Sequence, residues 1–491
     1  MQGKKDHQEK LFIQFQLSDY VPADNFYRRL KNMLNLDFLY QSTSKHYGKE
    51  GQKSIDPVVF MKLMLVGYLE NINSDRRIVV SSGMRMDILY FLGYDLGEEL
   101  PWHSTLSRTR KLYGEEVFLD LFKQVLKLCI DKGLICGKRQ AVDSALIPAN
   151  ASKQNMVERL VMEDASVFSR ELNDNSEDGP VAPEKPEDDN KGNQGKKAAP
   201  VNQTHYSPSD PDARLTTKPG KPMRLYYRSQ LSVDTASHFI TYIQAFKGNE
   251  ADNTSLPAML SQITDNMTDH AIEVKEILAD TGYSSGEAIR ALIAYDIEGY
   301  IPNPGNYKSS REGEGFTYDA ENDRYTCVKG VHLPFRRIEP AYDKPTILKK
   351  VYESNISDCK NCPVKHDCAN AKGFKKLVDS MDKPLYEYMQ QRVGSVKGKQ
   401  MKSLRSSTVE PVFGSLINYT GLKRINTKGL RQANKCMLMA AVAYNLKKLL
   451  KYKLEPLKEA KMQVVNCLNT IRDQLFTQIK QQYAVNLLPS F

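Results

Sequence analysis

The stretch GKRQAVDSALIPANASK, residues 137–153, carries the residues that decide the fold. Arg139–Val142 is predicted to open a short buried strand that ends at Asp143. A rigid sheet fixes the direction of a carboxylate at a strand end, so Asp143 is well placed to bind a metal ion through oxygen. A single aspartate in such a place is more often a turn former or a helix cap.

Two later segments repeat this arrangement of an apolar run that leads to an acidic residue. VKEILADTGY, residues 274–283, is predicted to be a strand that ends at Asp280. SSTVEPVFGSLINYT, residues 406–420, is predicted to place Glu410 in the first turn of a helix. Three carboxylates could hold two divalent cations through hard oxygen ligands. Two such ions can activate a water or a DNA 3′-hydroxyl and stabilise the leaving oxygen of a phosphodiester.

At these positions the chain resembles the DDE transposases of bacterial insertion sequences, whose catalytic core has an RNase H-like fold. The resemblance extends from about residue 20 to about residue 453. It implies that Asp143, Asp280 and Glu410 are the catalytic triad and bind two Mg²⁺ or Mn²⁺ ions. The matching segments are VDSALIPANAS at 142–152, ADTGYSS at 279–285, STVEPVFGSL at 407–416 and AVAYNLKKLL at 441–450.

Length, charge and cysteine content narrow the class of protein. A chain of 491 residues is long enough for two or three domains. The net charge of +10 suits a polyanionic partner, although a basic housekeeping enzyme would have the same balance. No apolar run approaches the roughly 20 residues of a membrane span, and no signal peptide is recognisable. Eight cysteines in so long a chain do not indicate a disulfide scaffold, so we expect a cytoplasmic protein.

Residues 1–135 are predicted to form an all-helical domain, because apolar residues recur there at intervals of three and four. Asp56 and Pro57 are a favourable helix start. The segment HSTLSRTRKLY is the best candidate for a DNA-contacting surface, with Arg108 and Arg110 directed at phosphates. A solvated helix face remains an open alternative for each residue. The resemblance implies that this domain reads the ends of the mobile element.

Residues 136–301 are predicted to form the first part of an α+β core with an RNase H-like mixed sheet flanked by helices. A polar insertion at 171–222 should lack stable packing, because it has almost nothing to bury. Residues 225–233 and 238–246 are predicted to form a hairpin. Asp252, which follows the hairpin, is interpreted as the N-cap of the next helix, or alternatively as an acid near the site.

Residues 302–388 are predicted to be a small cysteine-containing insertion. Its four cysteines follow the spacing C-x31-C-x2-C-x5-C and could supply thiolates to one structural Zn²⁺. His366 could replace one thiolate, and reduced cysteines without metal are an equally open interpretation. The four predicted ligands are Cys327, Cys359, Cys362 and Cys368.

Residues 389–453 are predicted to complete the catalytic core with the helix of Glu410, and residues 454–491 to form a helical tail. The resemblance implies that basic residues near Glu410 bind transposon-end phosphates. Arg405, Lys423 and Arg424 are the candidates. The family's usual aromatic before the arginine and lysine after the glutamate are replaced here, so Lys423 or Arg424 would have to substitute.

The predicted function is therefore that of a transposase which cleaves element ends and joins the 3′-hydroxyl to target DNA. The resemblance implies that its partners are double-stranded DNA, namely the terminal inverted repeats and the target, and a second copy of the chain in a synaptic complex. Two alternatives stay open at this point. One is an RNase H-fold nuclease without strand transfer, and the other is a domesticated, non-catalytic DNA-binding protein.

Overall fold

The computed structural model describes residues 15–48, 50, 54–159, 200–303, 311, 314–341, 348–368 and 373–451. Residues 1–14 of the predicted helical domain, residues 171–199 of the polar insertion and the predicted tail at 454–491 lie outside the described residues. Within the described ranges, no helix combines the length and the apolar character needed to cross a membrane.

The chain up to Asp131 is helical in its described part, as predicted. The start of helix α4, Pro57–Leu69, is determined by the two residues at its N-terminus. Asp56 accepts a hydrogen bond from the backbone amide of Val58 at 2.7 Å, and Pro57 occupies the first helical position. The helices are α1 Leu17–Tyr20, α2 Phe26–Met33, α3 Phe38–Thr43, α4 Pro57–Leu69, α5 Asp75–Gly83, α6 Met86–Leu92, α7 His103–Leu112 and α8 Glu115–Asp131, with a 3₁₀ turn at Ser44–His46.

A mixed sheet of six strands forms the core that follows. β5 pairs antiparallel with β1, β4 and β6, whereas β1 pairs parallel with β7, which pairs parallel with β8. The sheet and the helices around it have the RNase H-like α+β architecture that the sequence predicts. The strands and helices are β1 Arg139–Pro148, β4 Arg214–Thr216, β5 Arg224–Asp234, β6 Ile240–Lys247, α10 Asp252–Thr268, β7 Glu276–Leu278, α11 Gly286–Ala294 and β8 Glu298–Tyr300.

The predicted hairpin is confirmed as β5 and β6, but the predicted end of β1 is wrong. The strand continues five residues past Asp143, to Pro148. It does so because β5 keeps pairing with it, from Leu231 opposite Asp143 to Tyr226 opposite Pro148. Asp143 therefore lies in the middle of a strand rather than at its end.

The polar insertion is shorter than predicted, since its last part is packed against the sheet. Ser207 and Asp210 are fully buried. The hydroxyl of Tyr227 donates a 2.5 Å hydrogen bond to Asp210, and β4 pairs with β5. The small elements of this region are β2 Val157–Glu158, α9 Val201–Thr204, β3 His205–Tyr206 and a 3₁₀ turn at Lys153–Asn155.

The cysteine-containing insertion is a separate antiparallel sheet with the order β13-β12-β11-β10-β9. Its first two strands, β9 and β10, form an antiparallel hairpin. It has a small core of its own, formed by Phe316, Tyr325, Leu333, Tyr352 and Leu377. Its elements are β9 Phe316–Asp319, β10 Arg324–Cys327, β11 His332–Pro340, β12 Leu348–Glu353, α12 Ile356–Cys359, α13 Lys365–Cys368 and β13 Lys376–Ser380.

Three helices close the described chain: α14 Lys383–Gly394, α15 Val396–Tyr419 and α16 Leu430–Lys451. The prediction that Glu410 lies in the first turn of its helix is wrong, because α15 begins fourteen residues earlier. Ser395 caps that start by accepting a hydrogen bond from the amide of Gly398 at 3.0 Å. The lysines and the arginine between Ser395 and Glu410 are good helix formers, so the helix extends back to this cap.

Helix α16 joins the N-terminal helices to the sheet. On one side Lys435 donates hydrogen bonds to the carbonyl oxygens of Arg110 at 3.0 Å and Tyr113 at 2.5 Å. On the other side the Asn445 side chain bonds both the amide and the carbonyl of Ile240 in β6, at 3.0 and 2.9 Å. The buried apolar residues of both parts form one continuous core.

Candidate active site

Asp143 lies within β1, and Asp280 lies two residues beyond the end of the neighbouring parallel strand β7, at the same level of the sheet. The last backbone pair between β1 and β7 is Ala141 with Leu278. Each aspartate follows its paired residue by two positions, Asp143 still within β1 and Asp280 in the turn that follows β7. Neighbouring strands are about 4.8 Å apart, which brings the two carboxylates close together.

The charge environment of Asp143 shows this proximity. Burial raises the pKa of Asp143 above its ordinary value. Arg405 and the backbone amide of Ser144 oppose the rise, and the negative charge of Asp280 adds to it. The site thus holds two carboxylates whose mutual repulsion is only partly compensated.

Arg405 supplies the compensating charge that is present. Its Nη1 lies 3.0 Å from Oδ2 of Asp143. The side chains of Arg405 and Asp143 are 15% and 19% exposed, so the ion pair is largely shielded from water. Arg405 was predicted to contact DNA phosphates. In the structure its guanidinium binds the carboxylate of Asp143.

Asp280 is fixed by the turn that follows β7. Its Oδ1 accepts a hydrogen bond from the amide of Gly282 at 2.9 Å and so caps the 3₁₀ turn Thr281–Tyr283. Tyr283 in that turn is fully buried. The short turn gives Asp280 a defined direction immediately after the strand.

Asp252 does not cap the following helix, which was the favoured interpretation of its position. Ala251 is the N-cap of α10, and Asp252 is its first residue without a capping bond from its side chain. Instead, Arg228 donates from Nη1 to both oxygens of Asp252, at 2.7 and 2.8 Å. The alternative interpretation, an acid near the site, describes its position.

Glu410 is not brought to the pair of aspartates in this structure. Its side chain is exposed. It follows Arg405 by five residues, which places it about 140° around the helix from the residue that contacts Asp143. Among the described residues, no group of three or more His, Cys, Asp or Glu side chains is arranged to hold a metal ion. Glu410 as a third ligand therefore stays a prediction.

The two aspartates nevertheless fit a divalent cation. Carboxylate oxygens are the ligands that Mg²⁺ and Mn²⁺ prefer. The raised pKa of Asp143, to which the charge of Asp280 contributes, marks a place where added positive charge would be favourable. Asp143 and Asp280 are thus the residues that would hold such an ion.

Of the two arginines predicted to contact DNA through α7, only Arg108 is exposed. Arg110 is 6% exposed and forms an ion pair with Asp75, in which its Nη1 lies 3.2 Å from Oδ2. The prediction that Arg110 contacts phosphates is corrected accordingly. The two residues lie on different faces of α7, and Arg110 faces the core between α4 and α5.

Lys423 and Arg424 lie in the loop between α15 and α16, and both are exposed. Arg424 donates to Oδ1 of Asn150 at 3.0 Å, just beyond the end of β1. The same loop is bonded to the N-terminal helices through Asn426, which donates to the carbonyl of Asn73 at 2.9 Å. Both side chains are therefore available on a well-anchored loop, and their contact with DNA stays a prediction.

The four cysteines of the insertion are not assembled as a metal-binding group within the described residues. Cys327 and Cys368 pack against its small core. Cys359 lies 3.2 Å from the hydroxyl of Ser354. The side chain of His366 lies outside the description. The structural zinc site stays a prediction.

Sequence reasoning missed the buried polar residues of β5. Arg228 and Gln230 are 8% and 0% exposed and are directed to the same face of the sheet as Ser144 of β1. The signal was present, because Arg228, Gln230 and Ser232 occupy every second position of a strand that is otherwise suited to burial. Polar side chains that recur at every second position of a buried strand indicate a polar network.

Two family models match the chain. Residues 15–112 match a transposase domain (DUF772), and residues 326–450 match a transposase DDE domain. Both models describe transposase domains. The predicted resemblance to DDE transposases is confirmed, and Glu410 lies within the second matched range.

Solved structures of transposases are also similar to the chain. A Mos1 transposase paired-end complex with the left transposon end aligns at 11% identity and a TM-score of 0.17, over 54% of this chain and 63% of that one. A piggyBac transposase synaptic complex with hairpin DNA aligns at 11% identity and a TM-score of 0.25, over 88% and 81%. A Mos1 mariner paired-end complex with Mn aligns at 10% identity and a TM-score of 0.16, over 57% and 73%. Among curated proteins, none matches the chain.

Proposed function

We propose that this transposase cleaves phosphodiester bonds at the ends of its mobile element and joins the freed 3′-hydroxyl to target DNA. The observation that carries the proposal is that Asp143 in β1 and Asp280 just beyond the end of the parallel strand β7 lie at one level of the sheet, with their charges close enough to affect each other. The transposase DDE domain matched at 326–450 supports it.

The residues of this chain would act through position and charge. Asp143 and Asp280 would hold two Mg²⁺ or Mn²⁺ ions, with Glu410 as the third carboxylate. When bound, such ions supply Lewis-acid activation of the attacking oxygen and neutralise charge on the leaving oxygen. Arg405 would fix the orientation of the Asp143 carboxylate, and the turn capped by Asp280 would fix that of the second one.

The DNA partners follow from the same proposal. The helices of residues 15–112 would contact the element ends, with Arg108 as an exposed cation of α7. Lys423 and Arg424 would contact DNA phosphates from the loop that adjoins the end of β1. Two copies of the chain would hold the two ends in a synaptic complex.

The test is cleavage and joining of a labelled duplex that carries the element's own end sequence, in Mg²⁺ and in Ca²⁺. We expect nicking at the end in Mg²⁺ for the wild type, and transfer of the labelled 3′ end to a target plasmid. Asp143→Asn and Asp280→Asn should bind the duplex and fail to cut it. Glu410→Gln should behave in the same way if it completes the site.

Asp265→Asn is the matched control, because Asp265 is an exposed carboxylate on α10. It should cut and join as the wild type does. Cleavage that survives in Asp143→Asn would refute the assignment of the site. Cleavage without any joined product would reduce the function to that of a nuclease.

A further inference from the structure

A buried polar cluster lies on the face of the sheet opposite to Asp143 and beside Asp280. Asp143 pairs with Leu231, whereas its neighbour Ser144 pairs with Gln230, so the two residues face opposite sides. We call this group the rear cluster. Its members are at most 8% exposed, and they are Ser144, Arg228, Gln230, Asp252 and Tyr283.

Asp252 is the anion at the centre of the rear cluster. Nη1 of Arg228 lies 2.7 and 2.8 Å from its two oxygens, and Nε2 of Gln230 donates to its Oδ1 at 2.8 Å. Arg228 and Gln230 both belong to the rigid strand β5. A buried carboxylate held by three such bonds has a single well-defined position.

The rear cluster is connected to the backbone of both catalytic aspartates. Arg228 also donates to Oγ of Ser144 at 3.2 Å, and Ser144 directly follows Asp143. In the turn that follows β7, the hydroxyl of Tyr283 donates to Oε1 of Gln230. The amide of Tyr283 donates to the carbonyl of Asp280 at 3.2 Å. One network thus reaches the chain beside each aspartate.

Gly282 allows Asp252 and Asp280 to approach each other. A β-carbon at this position would lie 3.0 Å from Oδ1 of Asp280 and 3.2 Å from Oδ2 of Asp252. Any side chain there would intrude between the two carboxylates. Burial raises the pKa of Tyr283 well above its ordinary value, and the charges of Asp252, Asp143 and Asp280 add to the rise, so all three acids act on one hydroxyl.

We propose that Asp252 is a positioning residue, which acts through Arg228 and through Gln230 and Tyr283 to fix Asp143 and Asp280 relative to each other. Residues that hydrogen-bond to the ligands of a metal ion keep those ligands oriented. Their removal weakens the affinity for the ion about tenfold or more. The inference rests on the proposed function, because it assumes that Asp143 and Asp280 bind a divalent cation.

The experiment measures the dissociation constant of Mn²⁺ for the full chain by calorimetric titration, without DNA. The variants are Asp143→Asn, Asp252→Asn and Tyr283→Phe. Tyr283→Phe removes one hydroxyl at the far end of the rear cluster and leaves every carboxylate in place. Tyr325→Phe is the matched control, because Tyr325 is a buried tyrosine of the insertion whose hydroxyl is likewise hydrogen bonded, to Asp379.

We expect Asp143→Asn to abolish Mn²⁺ binding and Asp252→Asn and Tyr283→Phe to weaken it about tenfold. Tyr325→Phe should leave the affinity unchanged while it lowers the thermal midpoint about as much as Tyr283→Phe does. If Asp252→Asn fails to fold, Tyr283→Phe alone decides the question. Wild-type affinity in Tyr283→Phe, with binding lost in Asp143→Asn, would overturn the inference and leave the proposed function intact. Wild-type affinity in Asp143→Asn would overturn the proposed function itself.

Discussion

Nη1 of Arg405 lies 3.0 Å from Oδ2 of Asp143, so one oxygen of the aspartate is already bound to a cation of the protein. Arg405 belongs to α15 and Asp143 to the centre of the sheet. Their ion pair therefore connects the helix that carries Glu410 to the strand that carries the first aspartate. A divalent cation at Asp143 would share this carboxylate with the guanidinium.

Arg405→Ala should lower the stability of the metal-free chain, because it leaves a largely buried carboxylate without its partner. We expect a loss of about 2 kcal/mol in the free energy of unfolding, below the loss for fully buried pairs. Mn²⁺ should then stabilise the variant more than the wild type, since the ion replaces the missing charge. Thermal unfolding with and without Mn²⁺ measures both effects. Equal Mn²⁺ stabilisation of the two proteins would contradict the shared-carboxylate interpretation.

Arg110→Ala and Arg108→Ala should affect different properties, although the two residues are only two positions apart. Arg110→Ala leaves Asp75 unpaired in the core, and we expect about 3 kcal/mol of destabilisation in urea unfolding. Arg108→Ala should leave stability unchanged, because the side chain is exposed. If Arg108 contacts DNA, its variant alone should weaken binding in a fluorescence titration. Unchanged stability of Arg110→Ala would show that the ion pair with Asp75 is absent.

Glu276→Gln should reduce stability at neutral pH and have a smaller effect in acid. Burial alone would raise the pKa of Glu276, but hydrogen bonds from Arg139 and Lys397 lower it below the ordinary value. A lowered folded-state pKa stabilises the protein above the unfolded-state value, and this contribution is lost as the pH falls through the folded-state value. We expect a difference of about 1 kcal/mol at pH 7, because Lys397 is half exposed.

Urea unfolding of wild type and Glu276→Gln between pH 3 and pH 7 checks this prediction, with the difference shrinking below about pH 4. Glu287→Gln serves as the control, since Glu287 is exposed on α11. A difference that stays constant across the pH range would mean that the two cations do not act on the charge of Glu276.

Lys423→Ala should weaken DNA binding through the loss of one phosphate contact. The slope of log K against log salt should become less steep by about 0.9, with little change in sequence preference. Binding titrations at several salt concentrations give this slope. Lys127→Ala, at an exposed lysine of α8, should leave it unchanged. The same change of slope in both variants would indicate a general charge effect rather than a contact.

Local sequence pattern predicted those features that depend on neighbours along the chain. The β5–β6 hairpin and the cap of α4 at Asp56 arise from adjacent residues, and both are present. Asp280 follows its strand as predicted, because the glycine-containing turn behind it is also local.

The features that sequence pattern missed depend on distant partners. Arg110 is buried because Asp75 lies opposite it, and Asp252 is held by Arg228 rather than capping its own helix. Asp143 lies in mid-strand because β5 continues to pair beyond it. The residues that flank Arg110, Asp252 and Asp143 along the chain do not indicate these partners.

Helix α16 also limits how this protein can be divided or recombined. Lys435 satisfies backbone carbonyls at the end of α7, while Asn445 of the same helix satisfies the backbone of β6. A fragment that ends before residue 430 would leave both surfaces uncovered. Exchange of the N-terminal helices between homologues therefore has to include a compatible α16, and the two halves of the chain are expected to melt as one cooperative unit.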